Sequence, residues 1–169
     1  MRTAFYRRQL PHLQCDERQH FVTFCTDHRW ILPETSRRIV LECCLHDNEM
    51  KFDLRAAVVM PDHVHMIFMP LINQQAKEIY SPAEIMNAVK GASAHKVNKL
   101  LGRKGRLWQP ESFDHVLRSS ESLDAKIIYL LENPQRRGLV REWSDYPWLW
   151  KRQIMSQFSS DSGTAHERL

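Results

Sequence analysis

Glycine and proline are scarce in this chain, 5 and 8 among 169 residues. That excludes a collagen-like or linker-like polymer and favours regular elements joined by short turns. No stretch approaches the roughly 18 consecutive apolar residues a membrane-spanning helix needs, so no membrane partner is expected. The opening MRTAFYRR has no apolar run of the kind a secretory signal carries, and the expected location is cytoplasmic. The four cysteines, Cys15, Cys25, Cys43 and Cys44, lack C-x-x-C spacing. This argues against a zinc site and for reduced, partly buried thiols. What is present suffices for a core: 43% hydrophobic against 26% charged residues excludes wholesale disorder, and the length suits one domain with a short appendage. The charge is mildly positive, 24 Lys and Arg against 20 Asp and Glu, for a net +4. Polyanions suit that sign, though many ordinary enzymes share it.

Residues 1–19 carry Arg2, Arg7, Arg8 and Arg18 with Pro11 and read as an irregular basic arm. His20 to Thr26 alternates aromatic and β-branched residues, as a strand does. Ile39, Val40, Cys43 and Cys44 mark one face of a helix from Thr35 to about Asn48. Phe52–Met60 and His63–Met69 predict two strands joined tightly at Pro61-Asp62. Ser81-Pro82-Ala83-Glu84 has the form of a helix start with a capping box. The stripe behind it is Met86, Val89, Ser93, Val97 and Leu100, and the helix should end before Gly102. A fourth strand is expected over Phe113–Arg118 and a third helix over Glu121–Glu132, closed by Pro134. The order β-α-β-β-α-β plus a helix predicts an α+β, ferredoxin-like antiparallel sheet with two helices on one face. The domain should span 20–150, followed by a flexible polar tail over 151–169.

His63 and His65 flank Val64, so in a strand both imidazoles leave the same face. Two neutral imidazoles side by side suit a divalent cation; two histidines on a solvated sheet face are the plainer alternative. Ile67 stands where a third histidine or an aspartate would extend the motif, so a third ligand must come from elsewhere. On the third helix, Leu123, Ile127, Leu130 and Leu131 form the apolar stripe. Tyr129 lies roughly 160° from Ile127, sharing the other face with Lys126 and Asn133. Either these face the histidines as a catalytic set, or Tyr129 packs under a loop and Asn133 merely ends a helix.

Val58-Val59-Met60-Pro61-Asp62-His63-Val64-His65-Met66-Ile67 resembles the His-hydrophobic-His (HUH) segment of the single-tyrosine transposases. Ile128-Tyr129-Leu130-Leu131-Glu132-Asn133-Pro134-Gln135-Arg136-Arg137-Gly138-Leu139-Val140 is similar to their tyrosine helix. Leu107-Trp108-Gln109-Pro110 and Phe113-Asp114-His115-Val116-Leu117-Arg118 match the segment between. The Tyr-x-x-x-Asn-Pro form and the basic arm resemble the REP-associated tyrosine transposase branch, over about residues 5–150. One departure is Arg136-Arg137-Gly138, where the family usually has arginine-alanine-glycine.

The resemblance implies cleavage and strand transfer of single-stranded DNA at imperfect hairpins in REP-like repeats. It makes Tyr129 the nucleophile, forming a 5′-phosphotyrosine and a free 3′-OH, and makes His63, His65 and Asn133 ligands of a divalent metal. Mg²⁺ prefers oxygen ligands while imidazole also suits Mn²⁺, so either ion is expected to serve. The branch implies a monomer rather than a dimer. Arg2, Arg7, Arg8, Lys96, Arg103, Lys104, Arg106, Arg136 and Arg137 are the expected DNA contacts; for the lysines an ordinary solvated face stays open. Trp108, Trp143, Trp148 and Trp150 suit base stacking or packing alike. Two other readings are a binder that recognises DNA hairpins without cutting, and a metal-dependent hydrolase using water.

Overall fold

A sheet covered on both faces needs strands that are apolar on both sides, and residues 56–60 and 66–68 meet that demand. The computed structural model describes residues 18–118 and 121–153. Its elements run β1 (His20–Cys25), α1 (Glu34–His46), β2 (Phe52–Val59), β3 (His63–Pro70), β4 (Ile72–Asn73), β5 (Glu78–Ile79), α2 (Pro82–Leu101), β6 (Phe113–Val116), α3 (Leu123–Leu131), α4 (Asn133–Arg136) and β7 (Leu149–Lys151). Five strands form one antiparallel sheet in the order β6-β1-β3-β2-β7, while β4 and β5 make a separate small hairpin. The four strands of the βαββαβ pattern, β1, β2, β3 and β6, thus stand in the ferredoxin-like arrangement, as expected.

The pleat divides the interior into two cores. Val22, Phe24, Leu54, Ala57, Val59, Val64, Met66 and Phe68 pack with Val40 and Cys44 of α1 and Ile85, Met86, Val89 and Val97 of α2. On the opposite face Phe21, Ala56, Val58, Met60 and Ile67 pack with Leu130 and Leu131 of α3 and with Tyr146. His63 and His65 share the second face, so the helix carrying the tyrosine lies over the histidines and the other two helices lie behind the sheet.

The start of α2 is the capping box expected: Glu84 N–H donates to Ser81 Oγ at 3.2 Å, and Ser81 N–H donates to the Glu84 carboxylate at 2.8 Å. Gly102, with φ +61°, ends it in the left-handed conformation glycine adopts without a Cβ penalty. Buried Ser93 belongs on its stripe because it donates to Val89 O and accepts from Trp108 Nε1.

Four expectations need correction. Leu100 is 53% exposed, and Ile85 takes the buried place at the other end of the stripe. The third helix begins at Leu123, capped by the Ser122 hydroxyl, so Glu121 precedes it. The third helix ends at Leu131, about where Pro134 was expected to close it, but Asn133 is itself helical and Pro134 does not end the helical path. It sits in the first turn of α4, where a missing N–H costs nothing, and Glu132 keeps right-handed helical angles between the two helices. A fifth strand, β7, pairs with β2, and Arg152 N–H donates to Arg55 O. Regular structure thus reaches past residue 150, where the tail was expected to start. Cys15 and most of the basic arm lie outside the described residues. Among those described, Cys25, Cys43 and Cys44 are free thiols, and no helix is long and apolar enough to cross a membrane.

Candidate active site

Cross-strand register assembles the site. Cys25 of β1 pairs with His63 of β3, and Thr23 pairs with His65. The two imidazoles meet at 3.2 Å between Nε2 atoms. Each is oriented through its other nitrogen: His63 Nδ1 lies 2.6 Å from Asp62 Oδ1, and His65 Nδ1 lies 2.7 Å from Thr23 Oγ1. Both are buried, at 4% and 9% exposure. Burial and the adjacent His63, Arg137 and Arg136 push the His65 pKa down to about 3. Burial also lowers that of His63, against the upward pull of Asp62. Burial would raise the pKa of Asp62, but its bond to His63 and the charges of His63, Arg29 and Arg137 outweigh this and hold it low. At neutral pH the site therefore presents two uncharged imidazoles steered by a carboxylate and a hydroxyl.

The tyrosine helix supplies the rest. Asn133 is buried and its Nδ2 lies 3.2 Å from His65 Nε2. Because α4 continues the helical path of α3, Asn133 follows Tyr129 by one turn on the same side. The Tyr129 side is open, with 51% exposure. The ring of Phe21 stands between, 5.5 Å from His65 and 6.3 Å from Tyr129. Arg136 lies over the tyrosine ring at 4.1 Å, donates to its backbone carbonyl and pairs with Glu132. Thr23, Cys25, Arg29, His63, His65, Tyr129, Asn133, Arg136 and Arg137 line one cavity of about 340 Å³.

The donor set fits a divalent cation. Asp62 accepts from His63 Nδ1, leaving a lone pair on His63 Nε2. An amide N–H donated by Asn133 likewise requires a lone pair on His65 Nε2. The two Nε2 atoms stand 3.2 Å apart, a separation that a proton on one of them or a cation between them accommodates. Metal–nitrogen bonds of ~2.1 Å at near-tetrahedral or octahedral angles need about that separation. Among the described residues no three His, Cys, Asp or Glu side chains come together to hold a metal. Asn133 stands beside the pair, and a half-turn of its amide would offer an oxygen to the same cation.

Of the residues expected from sequence, the cavity gathers His63, His65, Tyr129, Asn133, Arg136 and Arg137. Lys96 lines a different cavity between α1 and α2, behind the sheet. Arg103 stacks on Trp30 at 4.0 Å and bonds Asn98. Lys104 and Arg106 are exposed in the loop after α2. Arg2, Arg7 and Arg8 lie outside the described residues. Lys126 pairs with Glu121 at 3.5 Å, and Trp108 is buried in the core against Phe24. Three residues of the site went unnoticed in the sequence: Thr23, Arg29 and Asp62. Only Asp62 had a local signal, a carboxylate adjoining His63; the other two arrive through strand register and a loop.

A ferredoxin-like sheet with a His-hydrophobic-His pair under a helix bearing tyrosine and asparagine has the layout of a single-tyrosine transposase. The model of the family described as "Transposase IS200 like" matches residues 15–127. The chain belongs to that family, although the matched segment stops just short of Tyr129. The REP-associated tyrosine transposase of Escherichia coli (strain K12) is 28% identical over 98 residues, covering 57% of this chain and 53% of that protein. A putative REP-associated tyrosine transposase of Haemophilus influenzae (strain ATCC 51907 / DSM 11121 / KW20 / Rd) is 24% identical over 101 residues, 57% of each. The chain thus spans about half the length of these curated relatives. The structure of a REP-associated tyrosine transposase bound to a REP hairpin superposes with a TM-score of 0.62 at 21% identity, covering 79% of this chain and 76% of that one. At that identity the likeness is one of fold.

Proposed function

We propose that the protein cleaves and rejoins single-stranded DNA at hairpin-bearing repeats of the REP type, with Tyr129 as nucleophile. The observation that carries this reading is the convergence of His63, His65, Asn133 and an open Tyr129 on one cavity. Family membership and relatives named for REP-associated transposition support the choice of DNA as substrate.

In the proposed reaction the Tyr129 Oη attacks the scissile phosphorus. An O–P bond forms to the phenol and the P–O3′ bond breaks. The DNA 5′ end is left on the tyrosine, and the phenolic proton is accounted for on the released 3′-OH. Attack by a 3′-OH reverses these changes and rejoins strands. His63, His65 and the Asn133 oxygen would hold Mg²⁺ or Mn²⁺. When bound, the ion supplies electrostatic stabilisation of the phosphate oxygens, which attack by a weakly nucleophilic phenol needs in its target. Asp62 and Thr23 hold the imidazoles in the metal-binding tautomer. Arg136, stacked on the tyrosine ring, keeps positive charge beside the attacking group.

The test is a denaturing gel of the protein with labelled hairpin-bearing strands from repeats flanking its gene, with and without Mn²⁺. A metal-dependent covalent band is expected, and Tyr129→Phe should abolish it while leaving hairpin binding within about threefold, since one phenol hydroxyl adds little to a phosphate-dominated interface. Tight binding without an adduct would favour the non-cutting hairpin binder. Free 5′-phosphate products without an adduct would favour hydrolysis by water.

A further inference from the structure

Arg29 reaches the cavity through a backbone conformation that non-glycine residues avoid. His28 and Arg29 have successive positive φ values, 50° and 56°, in the left-handed region where a Cβ is crowded. Glu49 and Lys77 share that region, but each stands alone in a turn away from the histidines. The loop carrying Arg29 is tied on both sides. Thr26 N–H and its hydroxyl donate to Asp62 O at 2.9 and 3.1 Å, Asp27 N–H to Leu107 O at 2.8 Å, and Leu32 N–H to Pro61 O at 2.7 Å. Strain held in place by its surroundings in this way gathers at functional sites.

The strained turn brings a guanidinium to the cavity that His63, His65 and Tyr129 line. Arg29 Nη1 donates to Asp62 Oδ2 at 3.2 Å, while the other oxygen of Asp62 holds His63. A guanidinium has five N–H donors, and the Arg29 side chain is 57% exposed. The charged groups lining the cavity are three arginines and no carboxylate. Arg136 is already occupied with Tyr129 and Glu132, whereas Arg29 keeps N–H groups open to the cavity.

We propose that Arg29 grips a non-bridging oxygen of the phosphodiester that Tyr129 attacks and stabilises the charge that builds on it. This rests on the strand-cleaving reading of the site. Arg29 exchanges no proton and forms no covalent bond; it binds the phosphate in the ground state and more tightly as its oxygens gain charge. Asp62 then serves two partners, orienting His63 and setting the direction of the arginine.

The experiment compares the full chain with Arg29→Ala, Arg29→Lys, Arg29→Gly and Asp62→Asn. It measures single-turnover adduct formation with Mn²⁺, and single-strand affinity across salt. Arg29→Ala should slow the adduct about 100-fold, as loss of one oxyanion donor does. Arg29→Lys should recover part of this, keeping the charge but not the fork. Arg29→Gly should be as slow as Arg29→Ala, yet melt no lower than the parent, because glycine accepts φ 56° without strain. The salt slope of log affinity should shrink by ~0.7 with the lost phosphate contact. Adduct formation within about threefold of the parent would overturn the proposal, since a gripping donor contributes far more. So would a salt slope left unchanged by Arg29→Ala beside a defect that Asp62→Asn reproduces, which would make Arg29 only a prop for the carboxylate. If the parent itself forms no adduct, the strand-cleaving reading falls separately. The salt slope then decides whether Arg29 contacts phosphate at all.

Discussion

Thr23 orients the His65 ring through its Nδ1. Its Oγ1 stands 2.7 Å from His65 Nδ1; by accepting from that nitrogen, as a metal-binding His65 requires, it would leave Nε2 unprotonated and facing His63 Nε2. Thr23→Val keeps the shape and removes the acceptor. On the metal-site reading this should weaken Mn²⁺ binding about 10–100-fold, as loss of an orienting partner usually does. Calorimetric titration of Mn²⁺ into the two proteins measures the difference, and equal affinities would remove Thr23 from the site. The shared face of His63 and His65 and the off-stripe position of Tyr129 were legible in the sequence from periods of two in a strand and 3.6 in a helix, while their roles came from the family resemblance. Thr23 and Arg29 were not, since nothing local says that β1 pairs with β3 in the register that sets Thr23 beside His65.

At the scale of elements, Glu121 links the edge strand to the tyrosine helix. Its carboxylate lies 3.0 Å from His115 Nε2 on β6, accepts from Arg118 N–H at 2.8 Å and pairs with Lys126 on α3. Bonds from the Arg118 backbone and from His115 pull its pKa down from 4.5 to about 2. A carboxylate whose folded pKa is depressed contributes stability above its unfolded value and loses it as the pH falls through the folded one. The melting temperature should therefore drop between about pH 5 and pH 2, and Glu121→Gln should flatten that part of the profile; an unchanged profile would remove Glu121 from the link. The sequence placed Glu121 inside the helix as an acid of its first turn. Ser122 caps the helix instead, which frees the preceding carboxylate to reach back to β6.

At the scale of the whole molecule, one sheet supports two cores with separate tasks. The larger one, against α1 and α2, makes the fold; the smaller one, under α3, holds Tyr129 and Asn133 over the histidines. Leu130 is fully buried in the second core while Leu100, on α2, is 53% exposed. Leu130→Ala should cost about 2–5 kcal/mol by leaving a cavity, and Leu100→Ala about 0.5 kcal/mol or less. Urea unfolding of both variants checks the contrast, and similar losses would contradict the packing described.

The sequence by itself determined the α+β class, the order of the elements, the capped start of α2 and the two faces of the strand that carries the histidines. All of these follow from periodicity and turn chemistry along a few neighbouring residues. The tertiary structure decided which strands pair and in what register, that α3 covers the face opposite α1 and α2, and that Pro134 starts a turn rather than ending the helix. It also brought Arg29 to the cavity and left Lys96 behind the sheet. The physical reason is one of range: a helix cap or an alternating strand is settled by contacts within a few residues. A site shared among β1, β3, a strained loop and α3 is settled by how buried faces fit together.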